Sequence, residues 1–158
     1  MLNAWRLVTA RFADTAFSGA GARDYGGRWN HKGIPLVYTA GSLALAMLEM
    51  LVQDEPLRAR YITIPAGIPA GMKIDRINIE QLPSDWRGST ALQRLRSIGT
   101  EWATQLSSAV LAVPRAVVPA ETNYLLNPKH PDFAKISIGE PQELVTDLRL
   151  VRAKPFGE

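Results

Sequence analysis

Apolar and polar positions change period several times along this 158-residue chain. The run Ala4–Trp5–Arg6–Leu7–Val8–Thr9 alternates large and polar side chains and predicts a first strand over Ala4–Thr9. From Phe17 to Gly33 the chain is rich in Gly, Ala and Asn and reads as a loop. Leu36–Ala40 is short and β-prone, a second strand. Ser42 then offers an N-cap for a helix over Leu43–Val52, without the Glu or Gln that completes a capping box, and Asp54 and Pro56 mark its end. Arg58–Ile64 and Met72–Ile77 predict further strands, separated by a Pro/Gly segment. Ser89 to Leu106 is the longest helical stretch, with Leu92, Leu95, Trp102 and Leu106 broadly on one side. Ala109–Val113 is an apolar strand ended by Pro114, and Thr122 to Pro128 is a short strand entering a turn. Ala134–Ile138 and Leu148–Val151 are candidate edge strands. Strands outnumber helices and the two do not alternate regularly, which favours an α+β fold over a doubly wound sheet. No repeat or linker divides the chain, so one domain over residues 1–158 is expected.

Composition narrows the function classes. Hydrophobic residues make up 46% of the chain and charged residues 21%, which fits a globular protein and not a disordered one. There are no cysteines, which excludes disulfides, Cys-based metal sites and a thiol nucleophile and suits a reducing cytoplasm. No apolar run approaches a membrane span, and the first residues lack a signal-peptide core. The net charge of +3 is mild and its arginines are scattered, with no basic run or zinc-finger spacing. Direct nucleic-acid binding is therefore not expected, and an anionic small molecule or an acidic partner protein fits better.

Three side chains carry candidate chemistry. Glu49 lies in a helix that is otherwise entirely apolar over Leu43–Val52, as expected if the helix is buried on most sides, and a buried carboxylate there needs a partner or a wet pocket. Equally, Ser42, Ala46, Glu49 and Gln53 fall on one stripe that suits a solvent face. Arg28 follows Gly26–Gly27, where the backbone is free to approach a ligand and a guanidinium can take two phosphate oxygens. An exposed loop arginine reads the same way. Tyr38 alternates with Leu36 and Ala40 on one strand face, as either an aromatic clamp or a core tyrosine. His31 and His130 read as structural or exposed.

The stretch Gly27–Arg28–Trp29–Asn30 … Gly33–Ile34–Pro35–Leu36–Val37–Tyr38–Thr39–Ala40 … Leu45–Ala46–Met47–Leu48–Glu49 resembles the RES domain. So does the block from Val113–Pro114–Arg115–Ala116–Val117–Val118–Pro119 through Asn123–Tyr124–Leu125–Leu126–Asn127–Pro128 to Phe133. The similarity runs from about Trp5 to Ile138. It implies a toxin of a bacterial RES–Xre type II toxin–antitoxin pair, with a fold similar to the catalytic core of ADP-ribosyltransferases. It further implies NAD as substrate, no metal, and an Xre-family antitoxin as partner. Family activities include NAD hydrolysis, phosphate-dependent NAD cleavage and protein ADP-ribosylation.

By the resemblance, Glu49, Arg28 and Tyr38 are the catalytic residues, and Arg6, Arg28, Tyr38, Asn123 and Arg115 border the nucleotide. Glu49 is expected to stabilise an oxocarbenium-like ribose, Tyr38 to pack on nicotinamide, and Arg28 with Arg6 to hold the pyrophosphate. The family carries a serine directly after the proline of its later motif, and this chain has Arg115 there. That change implies a weakened enzyme, a non-catalytic module that binds an antitoxin, or a new role for Arg115. Ser107 and Ser108 lie across an intervening strand and are poor replacements. An exposed apolar patch is looked for around Val117–Val118 or Leu125–Leu126.

Overall fold

The computed structural model describes residues 1–53 and 59–150. Its strands are β1 (Leu2–Thr9), β2 (Val37–Ala40), β3 (Tyr61–Ile68), β4 (Ile74–Arg76), β5 (Val110–Pro114), β6 (Thr122–Leu126), β7 (Ser137–Ile138) and β8 (Gln142–Glu143). Its α-helices are α1 (Ala20–Tyr25), α2 (Leu43–Gln53) and α3 (Leu92–Gln105). The strands form one sheet in the order β4-β5-β6-β2-β1-β3-β7, with β8 also on β3. Every pairing is antiparallel except β4 with β5. The fold is α+β, as the strand-rich, irregular order predicts. Among the described residues no helix is long and apolar enough to cross a membrane.

Both faces of the sheet are covered, which explains the continuous apolar run of β5. Val110 and Ala112 point to a cluster with Ala4, Val37, Ile68 and Leu126. Leu111 and Val113 point the other way, to Trp29, Leu36, Trp86, Leu95, Trp102 and Leu125. Leu125 and Leu126 are thus core residues on opposite faces, and the exposed patch expected of them does not exist.

Several expected elements are corrected. The stretch from Phe17 to Gly33 contains α1 and a tight bridge between Gly27 and Asn30. β3 continues through Pro65 to Ile68 where a Pro/Gly break was expected. Proline is tolerated there because β1 pairs one edge of β3, while on the other edge β8 joins Ile62 and Thr63 and β7 joins Ala66 and Gly67. Pro65 falls in the gap, where its missing N–H breaks no ladder. Leu148–Leu150 is a 3₁₀ turn instead of a strand. Asp54, Pro56, Arg58 and Val151, which figured in three of the expected boundaries, lie outside the described residues.

The buried face of α3 is Leu95, Gly99, Trp102 and Ala103. Leu106 does not join it: it ends the helix at φ 52° and is 45% exposed. Gly99 is required by close approach. A Cβ there would overlap the Trp29 carbonyl, with the carbonyl carbon only 2.9 Å away. The helix backbone and the loop before β2 therefore touch directly. Gly99→Ala is expected to destabilise the fold by about 1–3 kcal/mol, since backbone on both sides must shift. Urea unfolding against the parent checks this.

Candidate functional site

A cavity of about 840 Å³ opens where β1, β2 and β6 meet α2 and the loop after α1. Its wall includes Arg6, Arg28, Tyr38, Glu49, Arg115 and Asn123. All six residues singled out from the sequence line one space, although they come from four different elements and two loops.

Helix α2 sets the carboxylate. Ser42 caps it, its Oγ accepting the Leu45 N–H at 3.1 Å. Leu45, Ala46 and Met50 pack inward, whereas Ala44, Leu48 and Val52 face solvent, Val52 at 67% exposure. The helix is thus buried on one side only, contrary to the apolar reading of its sequence. Nor is the Ser42–Ala46–Glu49 stripe its solvent face, because Ala46 is buried and Glu49 borders the cavity.

Glu49 has two partners there. Arg115, directly after β5, brings its Nε into ion-pair contact with Glu49 Oε1, and their side chains are 13% and 23% exposed. The contact lacks the alignment of a hydrogen bond, so its attraction is chiefly electrostatic. Asn123 on β6 donates from Nδ2 to the same oxygen at 3.0 Å. The register that seats Asn123 between Ala40 of β2 and Val113 of β5 fixes that donor. Among the described residues Asn123 Oδ1 is buried without a partner. Burial and the neighbouring Arg28 cation pull the Arg115 pKa down to about 10, while the adjacent carboxylate favours the charged form. Arg115 is therefore a cation at neutral pH.

The loop that carries Arg28 hangs on Tyr38. The phenol donates to Asn30 Oδ1 at 2.7 Å and accepts the Trp29 N–H at 3.0 Å. Asn30 Nδ2 in turn reaches the carbonyls of Ala22, His31 and Ile34 at 2.9–3.1 Å. Gly26 stands at φ 73°, and a Cβ on Gly27 would come within 2.5 Å of the Tyr38 hydroxyl, so the glycine pair is needed for this turn. Arg96 of α3 secures the loop from outside, Nε to Gly27 O at 2.9 Å. Arg28 itself makes only long contacts, Nη1 to the Trp86 and Arg87 carbonyls at 3.5 Å, leaving its charge to the cavity. Arg6 is spent differently: its Nε donates to Ala16 O and its Nη1 to Tyr38 O, at 3.1 and 3.2 Å. Burial lowers its pKa from the usual arginine value.

Asn30 and Arg96 were not singled out by sequence reasoning. Asn30 lies in the Gly27–Arg28–Trp29–Asn30 motif, and asparagine is a turn-former by type. Nothing in the α3 sequence marks Arg96. His31 and His130 stay outside the cavity, bonded to Ser97 and to the Asp132 N–H. Ser107 is tied to Asp75 and Ser108 to Trp102, so neither reaches Glu49.

The sequence model described as the RES domain matches residues 3–147. A protein named Toxin Res from Photorhabdus laumondii is 40% identical over 153 residues, 95% of this chain and 97% of its own length. A Toxin Res from Yersinia enterocolitica is 39% identical over 92% of this chain and 97% of its length. A protein from a Sphingobium strain named Prs ADP-ribosylating toxin is 38% identical over 94% and 96%. That last name accords with the expected likeness to an ADP-ribosyltransferase core.

Tyr38 yields a test of the loop geometry. Burial pushes its pKa from the usual 10 up to about 12. The unfolded chain ionises first, so the stability held by this proton is intact below about pH 10 and is lost as pH rises toward about 12. Tyr38→Phe is expected to cost about 1–3 kcal/mol at neutral pH, because Asn30 Oδ1 and the Trp29 N–H lose their partner. The variant should also show a shallower alkaline loss than the parent, read by denaturant unfolding at several pH values.

Proposed function

We propose that this chain, which belongs to the RES domain family, is a one-domain toxin that cleaves the nicotinamide–ribose bond of NAD. One observation carries the reading. A single cavity brings a carboxylate, an aromatic ring and several arginines together at the size of a nucleotide site.

Bond breaking leaves positive charge on the ribose and turns the cationic nicotinamide ring neutral. Glu49 accepts a hydrogen bond from a ribose hydroxyl and stabilises the developing cation. Asn123 holds that carboxylate in orientation through Nδ2. Tyr38 borders the cavity while its hydroxyl is engaged in the loop, so its role toward nicotinamide is that of a packing ring and not of a proton donor. Arg28 attracts the diphosphate. Arg6, tied to two carbonyls, positions β1 against β2 and adds field more than a flexible contact. Water attacking the ribose gives ADP-ribose, nicotinamide and a proton, and phosphate as acceptor gives the phosphorylated sugar instead. The chemistry needs no metal. An Xre-family antitoxin that covers this cavity would restrain the toxin in the cytoplasm.

A second reading is transfer of ADP-ribose to a protein, and the name of the Sphingobium relative, Prs ADP-ribosylating toxin, favours it. Both readings use the same bond cleavage and differ only in the acceptor.

Purified protein incubated with NAD is expected to release nicotinamide, measured with and without phosphate. Glu49→Gln is expected to lower kcat by about 100-fold or more, the scale of losing one aligned electrostatic group. A Gln variant as fast as its parent overturns the role of Glu49. Labelled ADP-ribose appearing on protein, instead of in solution, selects the transferase.

A further inference from the structure

Arg115 is ion-paired with the carboxylate that the proposed cleavage requires. While a guanidinium sits on Glu49, its positive charge cancels much of the field that would stabilise a sugar cation. It shares Oε1 with the Asn123 donor. Yet only the Nε edge of Arg115 is used in this way. Among the described residues no acceptor takes a hydrogen bond from its two terminal nitrogens. Arg28, on the same cavity wall, is close enough for its charge to oppose that of Arg115. Arg6 adds a third cation, against a single carboxylate on Glu49. Two arginines that repel each other within one cavity, each with unused donors, make a seat for an anion with two negative charges.

We infer that Arg115 exchanges partners: it neutralises Glu49 in the empty site, and the diphosphate of a dinucleotide draws it toward Arg28 and frees Glu49 for the ribose. Arg115 is then a positioning and specificity residue, not a catalytic one. The inference rests on the NAD reading above. It adds that the diphosphate both binds and switches the carboxylate on, so a nicotinamide riboside without phosphates leaves the pair closed.

Binding without turnover tests the exchange directly. Calorimetry measures ADP-ribose and inorganic pyrophosphate on the parent, Glu49→Gln, Arg115→Ser and the double variant. Removing Glu49 frees Arg115, so Glu49→Gln is expected to tighten both ligands by about tenfold, and this gain should largely vanish when Arg115 is already serine. An equal gain in both backgrounds means a general charge effect and overturns the exchange. Arg115→Lys, which keeps the charge without the fork, is expected to recover only part of the lost affinity. Turnover gives a second readout. The parent is expected to cleave NAD with a kcat at least about 100-fold above that for nicotinamide riboside, and Arg115→Ser should narrow that ratio by about tenfold while raising KM for NAD. An unchanged ratio also overturns the exchange. If no variant cleaves any substrate, the NAD-cleavage reading fails, and the binding cycle alone still decides for or against Arg115.

Discussion

The phenol of Tyr38 is the point on which the cavity's architecture rests. It is both donor and acceptor to a loop with no regular backbone ladder of its own, joining Asn30 and Trp29 to the middle of the sheet. From that bond outward, Asn30 closes the turn, Trp29 fills the core beneath α3, and Arg28 is carried to the cavity rim. Gly99 and Arg96 of α3 then hold the loop from behind. The β2 position is effective because Tyr38 sits between strands whose own pairings leave little freedom.

Charge is handled by division of labour. A cavity with several arginines in partial burial is costly unless each cation is compensated. Arg6 is compensated by carbonyl dipoles, Arg115 by Glu49, and Arg28 by solvent and two distant carbonyls. The residual excess of positive charge is local to the site, in a chain whose net charge is only +3. Under the proposed reading, that concentration is what draws an anion to the cavity without a basic surface.

Much of the site was legible because it is built from side chains that are out of place in their segments. Glu49 stands in an apolar helix and Arg28 follows two glycines, so residue type alone marked them. The family pattern added Arg6, Asn123 and Arg115, which no spacing would have selected. Other features were illegible for physical reasons. Helix α2 looked buried because its exposed side is apolar, and burial depends on what packs nearby, not on composition. Pro65 looked like a strand break, since only the arrangement of β7 and β8 shows that its missing donor lies in a gap. Gly99 matters through a contact across seventy positions of sequence, to Trp29, and its own neighbours give no sign of it.

The broken outer border of β3 has a consequence of its own. Two separate two-residue strands cover it, with a proline between them. A foreign strand finds no uninterrupted row of free amides and carbonyls there to zip onto. The same irregularity that hid the strand from sequence reading thus protects the sheet from growing sideways into an aggregate, at the edge where its longest strands lie.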